Sequence, residues 1–544
     1  MDDAGSGMRS STSTSRTDVE KLHELGYAQE LKRGMGGFSN FAVSFTIISI
    51  LSGCLTLFGY GMFIGGPTSA AYGWPLVGIL VTLVSLAMAE ICSSYPTAGG
   101  LYYWAAKVAP RNGAAWAWFT GWFNFLGQVG ITAGIDFGFA AFFSAFLNIA
   151  FDVAPTRGTV ILVYTLVLAL HGLMNTFGIR LVALLNDVSV WWHVAGVLVI
   201  FAILFVVPDQ HTSFGTIFSL SSTPSGEDQV AGFINGSGFE TGLFGSNIYI
   251  FLIGLLLAQY TLTGYDASAH MTEETHTADV SGPRGIYRSV VVSVIFGWIL
   301  LLGVWYAVQG QAGYDAAIEY QYDATANVAA PAQIFLDAVG KSWTVFMLLI
   351  VVVAQFFCGM ASVTSNSRMI YAFSRDGAVP GHRLWHTINK RTRTPTNSIW
   401  LAAVLAWLLV APAYWLGSIV AYFAVTSIAV IGLYIAYVIP TYLRLRAGGS
   451  FRPGPWNLGR WSYVIGTIAV VWVLFICVVL MLPQFCPCGS KLIDYLNYAP
   501  IAVLAVIGFA GIYWVASARK WFKGPVVQGS PEELAAIERD LESV

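Results

Sequence analysis

An all-α integral membrane protein with twelve transmembrane helices is the fold this sequence predicts, and three observations predict it. Charged residues make up only 10% of the chain, against about 25% in soluble proteins, too few to cover a water-exposed surface. Twelve apolar runs are each long enough to cross about 30 Å of hydrocarbon as a helix, which takes about 20 residues. Lys and Arg fall almost entirely on one side of the topology those runs imply.

The runs lie at about 39–62, 74–94, 115–148, 158–177, 181–207, 247–271, 286–309, 341–374, 397–415, 418–443, 462–482 and 496–517. A membrane β-barrel would show segments of about ten residues with period-two alternation, and none occurs. With a cytoplasmic N-terminus, 24 of the 27 Lys and Arg are cytoplasmic, and only Arg157, Lys341 and Lys491 fall outside. A missed span would swap every later loop and erase that bias. The 56 Gly suit closely packed membrane helices.

The chain divides into a polar N-terminal tail (1–38), spans 1–5 (39–207), an outer loop (208–246), spans 6–10 (247–443), spans 11 and 12 (444–517) and a C-terminal tail (518–544). The first tail, with SSTSTSRT at 10–17, is expected to be disordered and carries no cleavable signal pattern. The second ends in SPEELAAIERDLESV, a short helix capped by Ser530 with Pro531 at its first position. The outer loops 208–246 and 310–340 are acidic, which suits solvation or weak concentration of cationic solutes. Cys54, Cys92, Cys358 and Cys477 sit in apolar runs as core residues. Cys486 and Cys488 form Cys-Pro-Cys in a loop, where a disulfide remains open. No metal, cofactor or nucleic-acid partner is expected; the bilayer and a small solute are.

Two spans carry interruptions. Ser52-Gly53-Cys54 falls near the middle of span 1, and Thr263-Gly264-Tyr265-Asp266 lies within span 6. Gly-interrupted helices at corresponding places in two halves point to a midplane solute site. Unwound backbone is tolerated in hydrocarbon only where it lines a cavity or is satisfied by protein. The plainer reading makes Gly53 and Gly264 helix-packing glycines.

Ionisable groups inside a membrane are functional candidates. Asp266 could receive a substrate amine, or cap the second half-helix and serve a gate. Asn124, Gln128, Thr132 and Asp136 recur at i+4 on one face of span 3, either lining the solute path or bonding neighbouring helices. Glu90, Glu273 and Glu274 lie at cytoplasmic helix ends, where Arg284 or Arg375 would complete an inner gate; simple solvation is the other reading. His171, His193 and His270 read as structural, with His193 the one that could exchange a proton.

The stretch LGYAQELKRGMGGFSNFAVSFTIISILSGCLTLFGYG at 25–61 resembles the entry segment and first helix of the amino acid–polyamine–organocation superfamily. The likeness is greatest to its amino-acid/choline branch, which includes GABA and choline permeases. AEICSSYPTAGGLYYWAA (89–106), TGYDASAHMTEETHTADVSGPRGI (263–286) and SRMIYAFSRDGAVPG (367–381) extend it over both halves. The resemblance implies a leucine-transporter-type fold: two five-helix inverted repeats plus two peripheral helices, with alternating access around a site between spans 1, 3, 6, 8 and 10. It implies that Tyr265 packs on substrate. Many proton-coupled members carry a Lys in span 5; this chain has none there, and Gly196 stands near that position. His193, one turn away, could take over proton exchange. Alternatively Ser362, Thr364 and Ser365 of span 8 could hold sodium beside the span-1 break, and uncoupled exchange is the third option.

The expectation is therefore an importer of an amino acid or related small amine such as GABA, in the cell membrane with both termini cytoplasmic. A choline or polyamine transporter and a substrate sensor on the same fold are the alternatives. An enzyme is not expected, since no HExxH, GxSxG or P-loop pattern occurs.

Overall fold

The computed structural model describes residues 18–177, 179–219, 247–322, 329–415, 420–483, 497 and 499–542. Cys486 and Cys488, and most of the outer loop 208–246, lie outside the described residues. Among the described residues no strand occurs, and ten helices are long and apolar enough to cross a membrane. Two shorter apolar helices, Ile248–Thr261 and Thr396–Pro412, fall where spans 6 and 9 are expected.

Burial sorts the spans. The apolar windows of spans 3 and 10 are each 89% buried, and that of span 12 only 17%. Span 3 (Gly113–Phe151) forms the centre, with spans 8 (within Ala330–Arg375) and 10 (Val420–Ala447) each packed against it. Spans 4 (Arg157–Phe177), 11 (Ser462–Met481) and 12 (from Ala499) turn apolar faces outward, as Leu162, Leu166, Leu170 and Leu173 of span 4 show. An exposed apolar stripe at helical spacing is what lipid contact requires. Ala330–Arg375 is broken at Gly340 (φ 74°, ψ 175°), so span 8 proper begins at Lys341, as the sequence predicts.

Both interrupted spans are broken, but the first is not broken where its glycine predicts. Its helix Gly37–Ile48 ends at Ser49, which takes a left-handed conformation (φ 36°, ψ 82°), and restarts as Ile50–Thr56. Ser52, Gly53 and Cys54 therefore lie inside a helix. Gly53 is a packing glycine: a Cβ there would stand 2.9 Å from the Thr261 Cα and 2.7 Å from its Cγ2. Span 6 is broken as predicted. Helix Leu256–Thr261 ends, Gly264 takes φ 96°, and a short helix Ala267–His270 follows.

The tail 1–38 departs from expectation from residue 18 onward. Leu22, Tyr27, Leu31 and Met35 are buried, which gives this segment the apolar anchors a disordered tail lacks. It lies against the C-terminal helix Pro531–Glu542, which begins with the expected cap: the Glu533 amide donates to Ser530 Oγ, and the Ser530 amide donates to Glu533 Oε2. His23 Nε2 lies 2.8 Å from Glu538 Oε1. Both described termini meet on this side of the bundle, its terminal face.

Candidate functional site

The two breaks are built against each other. Ser44 Oγ of span 1 accepts from the Ser268 amide (2.8 Å) and lies 2.8 Å from the Tyr265 carbonyl. Asn40 Nδ2 donates to the Ser268 carbonyl at 2.9 Å. Side chains of the first broken helix thus satisfy backbone groups the second leaves without helical partners. Span 10 adds Tyr434, whose hydroxyl donates to the Leu262 carbonyl at 3.2 Å.

Asp266 sits fully buried just after the span-6 break. It occupies the N-cap position of Ala267–His270, yet its side chain caps no amide there. The expected capping role is therefore corrected: the carboxylate bridges helices instead. Its Oδ2 accepts from Gln128 Nε2 of span 3 (2.8 Å) and its Oδ1 from the Tyr437 hydroxyl of span 10 (2.6 Å). His270 Nε2 stands 3.3 Å from Oδ2, while His270 Nδ1 donates to the Ala98 carbonyl at 2.8 Å. Tyr265 lies against the Tyr437 ring, centroids 5.0 Å apart, and Tyr434 lies 5.2 Å from Tyr437. A carboxylate beside three tyrosines is an environment that suits a cation.

The span-3 stripe is buried throughout, and its members face different partners. Asn124 Nδ2 faces His270 Nε2 (3.3 Å) and Gln128 reaches Asp266, whereas Thr132 Oγ1 lies 2.8 Å from Ser362 Oγ and accepts from Asn366 Nδ2 (3.1 Å). Asp136 points elsewhere, with Oδ1 2.8 Å from His171 Nδ1 of span 4. Gly359 of span 8 leaves room for that pair, since a Cβ there would stand 2.3 Å from Asp136 Oδ1. His171 was not singled out by the sequence beyond a structural reading; its contact partner lies 35 positions away, beyond any helical spacing.

His193 meets the first break directly. Its Nδ1 lies 2.8 Å from the Ser189 carbonyl and so carries the proton, leaving Nε2 to accept from Ser49 Oγ at 2.6 Å. The expected neighbour Gly196 is packed against Leu51 and Ile350. The three span-8 hydroxyls do not converge on the break. Ser362 faces span 3, and Thr364 Oγ1 donates to Asn175 Oδ1 of span 4 at 2.6 Å. Ser365 is buried. The span-8 group that reaches the break is Cys358, whose thiol donates to the Ile47 carbonyl at 3.2 Å.

Buried ion pairs gather on the terminal-face side. Arg375 donates to Glu273 from both terminal nitrogens (3.0 and 3.1 Å), and Glu273 Oε1 also accepts from the Ala98 amide. Arg368 Nε donates to Glu274 Oε1 at 2.8 Å. Glu274 is buried, so its solvated reading is corrected; its neighbour Arg368 is long enough to neutralise it inside the bundle. The Tyr27 ring lies under the Arg375 guanidinium at 3.8 Å. Glu90 pairs elsewhere: Arg444 stands 3.3 Å away and Ser462 donates to it, tying span 2 to spans 10 and 11. Arg284 joins none of these pairs. Removing one partner of a buried pair costs about 3–5 kcal/mol. Arg375→Gln should thus lower the thermal midpoint by several degrees in detergent, and Glu273→Gln added to it should restore part of the loss. An unchanged midpoint in the single variant would show the pair to be inert.

Two broken spans joined through their unwound turns, inside a bundle of membrane helices with buried acids, define a membrane transport protein. The amino acid permease family model matches residues 35–508, and the chain belongs to this family. It is 42% identical over 519 residues to "Amino-acid permease BAT1" of Arabidopsis thaliana, covering 93% of this chain and 96% of that protein. It is 28% identical to the "GABA-specific permease" of Saccharomyces cerevisiae (95% and 87% covered) and 26% identical to a "Putative polyamine transporter" of Candida albicans (96% and 91% covered). It is a multi-pass membrane transporter, not an enzyme.

Proposed function

We propose that the chain imports an amino acid or a related small amine, GABA among the candidates, by alternating access driven by protons. Both termini are then cytoplasmic and the protein sits in the cell membrane. The observation that carries this reading is Asp266, fully buried beside the span-6 break and bridging spans 3 and 10. An acid at that depth costs several kcal/mol unless it is used or matched, and its partners here are neutral donors plus His270. An ammonium group from a substrate is the charge that would complete it. The unwound turns at Ser49 and Gly264 supply backbone groups suited to a carboxylate at the other end of a zwitterion. Halves of five spans, 39–207 and 247–443, would rock around these turns.

A thermal-shift screen of amino acids, ω-amino acids and amines tests the substrate class. A zwitterion should shift the midpoint most; a larger shift from choline or a polyamine would favour the second reading. That reading draws its support from the Tyr265, Tyr434 and Tyr437 rings around Asp266.

His193 is the proposed proton carrier. As a neutral ring it accepts from Ser49; once protonated it must donate, and Ser49 has to turn its hydroxyl away. Protonation would thereby act on the residue at which span 1 breaks. Sodium is less favoured, because the span-8 group at the break is a thiol and hard cations take oxygen ligands. His193→Gln is expected to abolish proton-driven accumulation while counterflow exchange persists. Accumulation at the normal level in this variant would remove His193 from the mechanism.

A further inference from the structure

Arg284 and Arg288 stand one turn apart near the start of span 7 (Ala278–Tyr306), and both are exposed. Among the described residues neither has a carboxylate within ion-pairing distance or a side-chain hydrogen bond; Arg288 lies 5.9 Å over the ring of its neighbour Tyr287. Arg368 and Arg375, on the same end of the bundle, are tied to glutamates. The two free guanidiniums border a cavity of about 390 Å³ between span 7 and the first half-helix of span 1. Its remaining walls are apolar or aromatic: Phe38, Phe41, Tyr287 and Val291.

The helix face continues in register. Arg284, Arg288, Val291 and Ile295 are spaced i, i+4, i+7 and i+11, and Val291 (37%) and Ile295 (54%) are exposed apolar residues. Eleven residues rise roughly 16 Å, about half of the 30 Å hydrocarbon thickness. Over that half-thickness one face thus runs from two unpaired cations to exposed apolar residues. Trp456 stacks on Tyr287 at 5.5 Å, placing aromatics at the level of the cations, where a membrane interface collects them. Among the described residues no carboxylate lines the cavity.

We infer that this cavity binds an anionic phospholipid of the terminal-face leaflet, its phosphate on Arg284 and Arg288 and one acyl chain along Val291 and Ile295. Charge complementarity selects the headgroup, and the apolar track selects a lipid over a soluble anion. The occupant would brace Gly37–Ile48, the half-helix that ends at the Ser49 break. The inference is independent of the substrate and of the coupling ion.

The test is native mass spectrometry and thermal melting of the purified full chain in micelles doped with phosphatidylglycerol, phosphatidylcholine or inorganic phosphate. Phosphatidylglycerol should raise the midpoint and be retained; phosphatidylcholine and phosphate should do neither. Retention should fall about fivefold per arginine lost, in Arg288→Gln and again in Arg284→Gln/Arg288→Gln. Both positions are exposed and break no internal bond, and Arg288→Gln alone suffices if the double variant fails to accumulate. Equal stabilisation by phosphatidylcholine or phosphate, or undiminished retention in Arg288→Gln, would overturn the site.

Discussion

Gly264→Leu is expected to reduce uptake about a hundredfold or more while the protein still reaches the membrane. Gly264 holds φ 96°, a conformation that costs an L-residue about 1–2 kcal/mol. A Cβ there would also stand 2.4 Å from Ile47 Cγ2, two residues before the Ser49 break. Leucine must therefore drive the two unwound turns apart, separating Ser44 from Tyr265 and Ser268. About 3 kcal/mol lost from the working geometry is about a hundredfold in rate. Gly264→Ala should lie between. Surface labelling gives the amount delivered and radiolabelled uptake gives the activity; normal uptake by Gly264→Leu at normal delivery would remove the break from the transport path. Gly53→Leu is a weaker test of the site than its sequence position implies, because Gly53 packs on Thr261 and its loss disturbs helix contact as well.

Asp266→Asn should weaken amine-bearing substrates by about 5- to 150-fold and analogues lacking the amine far less. The wild-type carboxylate only accepts, and both Gln128 Nε2 and the Tyr437 hydroxyl donate to it. An amide must turn its NH₂ toward one of these donors, and a buried mismatch costs about 1–3 kcal/mol. It also removes the charge that would meet an ammonium group. Inhibition constants for an amino acid and for its deaminated analogue, measured in both proteins, separate the effects. An equal loss for the two would assign Asp266 to helix bridging alone.

Apolar run length and charge bias make the architecture readable from sequence, because both record the bilayer itself, which acts on every span alike. The span-6 break was readable for a local reason: Gly264 takes a positive φ, and glycine is the residue that does so without strain. The span-1 break was not, because Ser49 adopts a left-handed conformation uncommon for serine and is held by His193, 144 positions away. The bonding partners of Asp266 were likewise hidden. Proximity to a helix start suggested a cap, whereas its partners Gln128 and Tyr437 belong to spans far off in sequence. The pairings Asp136–His171 and Glu90–Arg444 share this property: composition marks each member as costly to bury, and only the packing of distant helices chooses its partner, whereas Arg375 was among the partners expected for the glutamates and does meet Glu273.

Uptake of a radiolabelled amino acid into proteoliposomes, under an imposed proton gradient without sodium and then a sodium gradient without a proton gradient, tests coupled transport most directly. Accumulation above the external concentration is expected in the first condition and absent in the second. Accumulation driven by sodium alone, or equilibration without accumulation in both, would contradict proton-coupled import through the paired breaks.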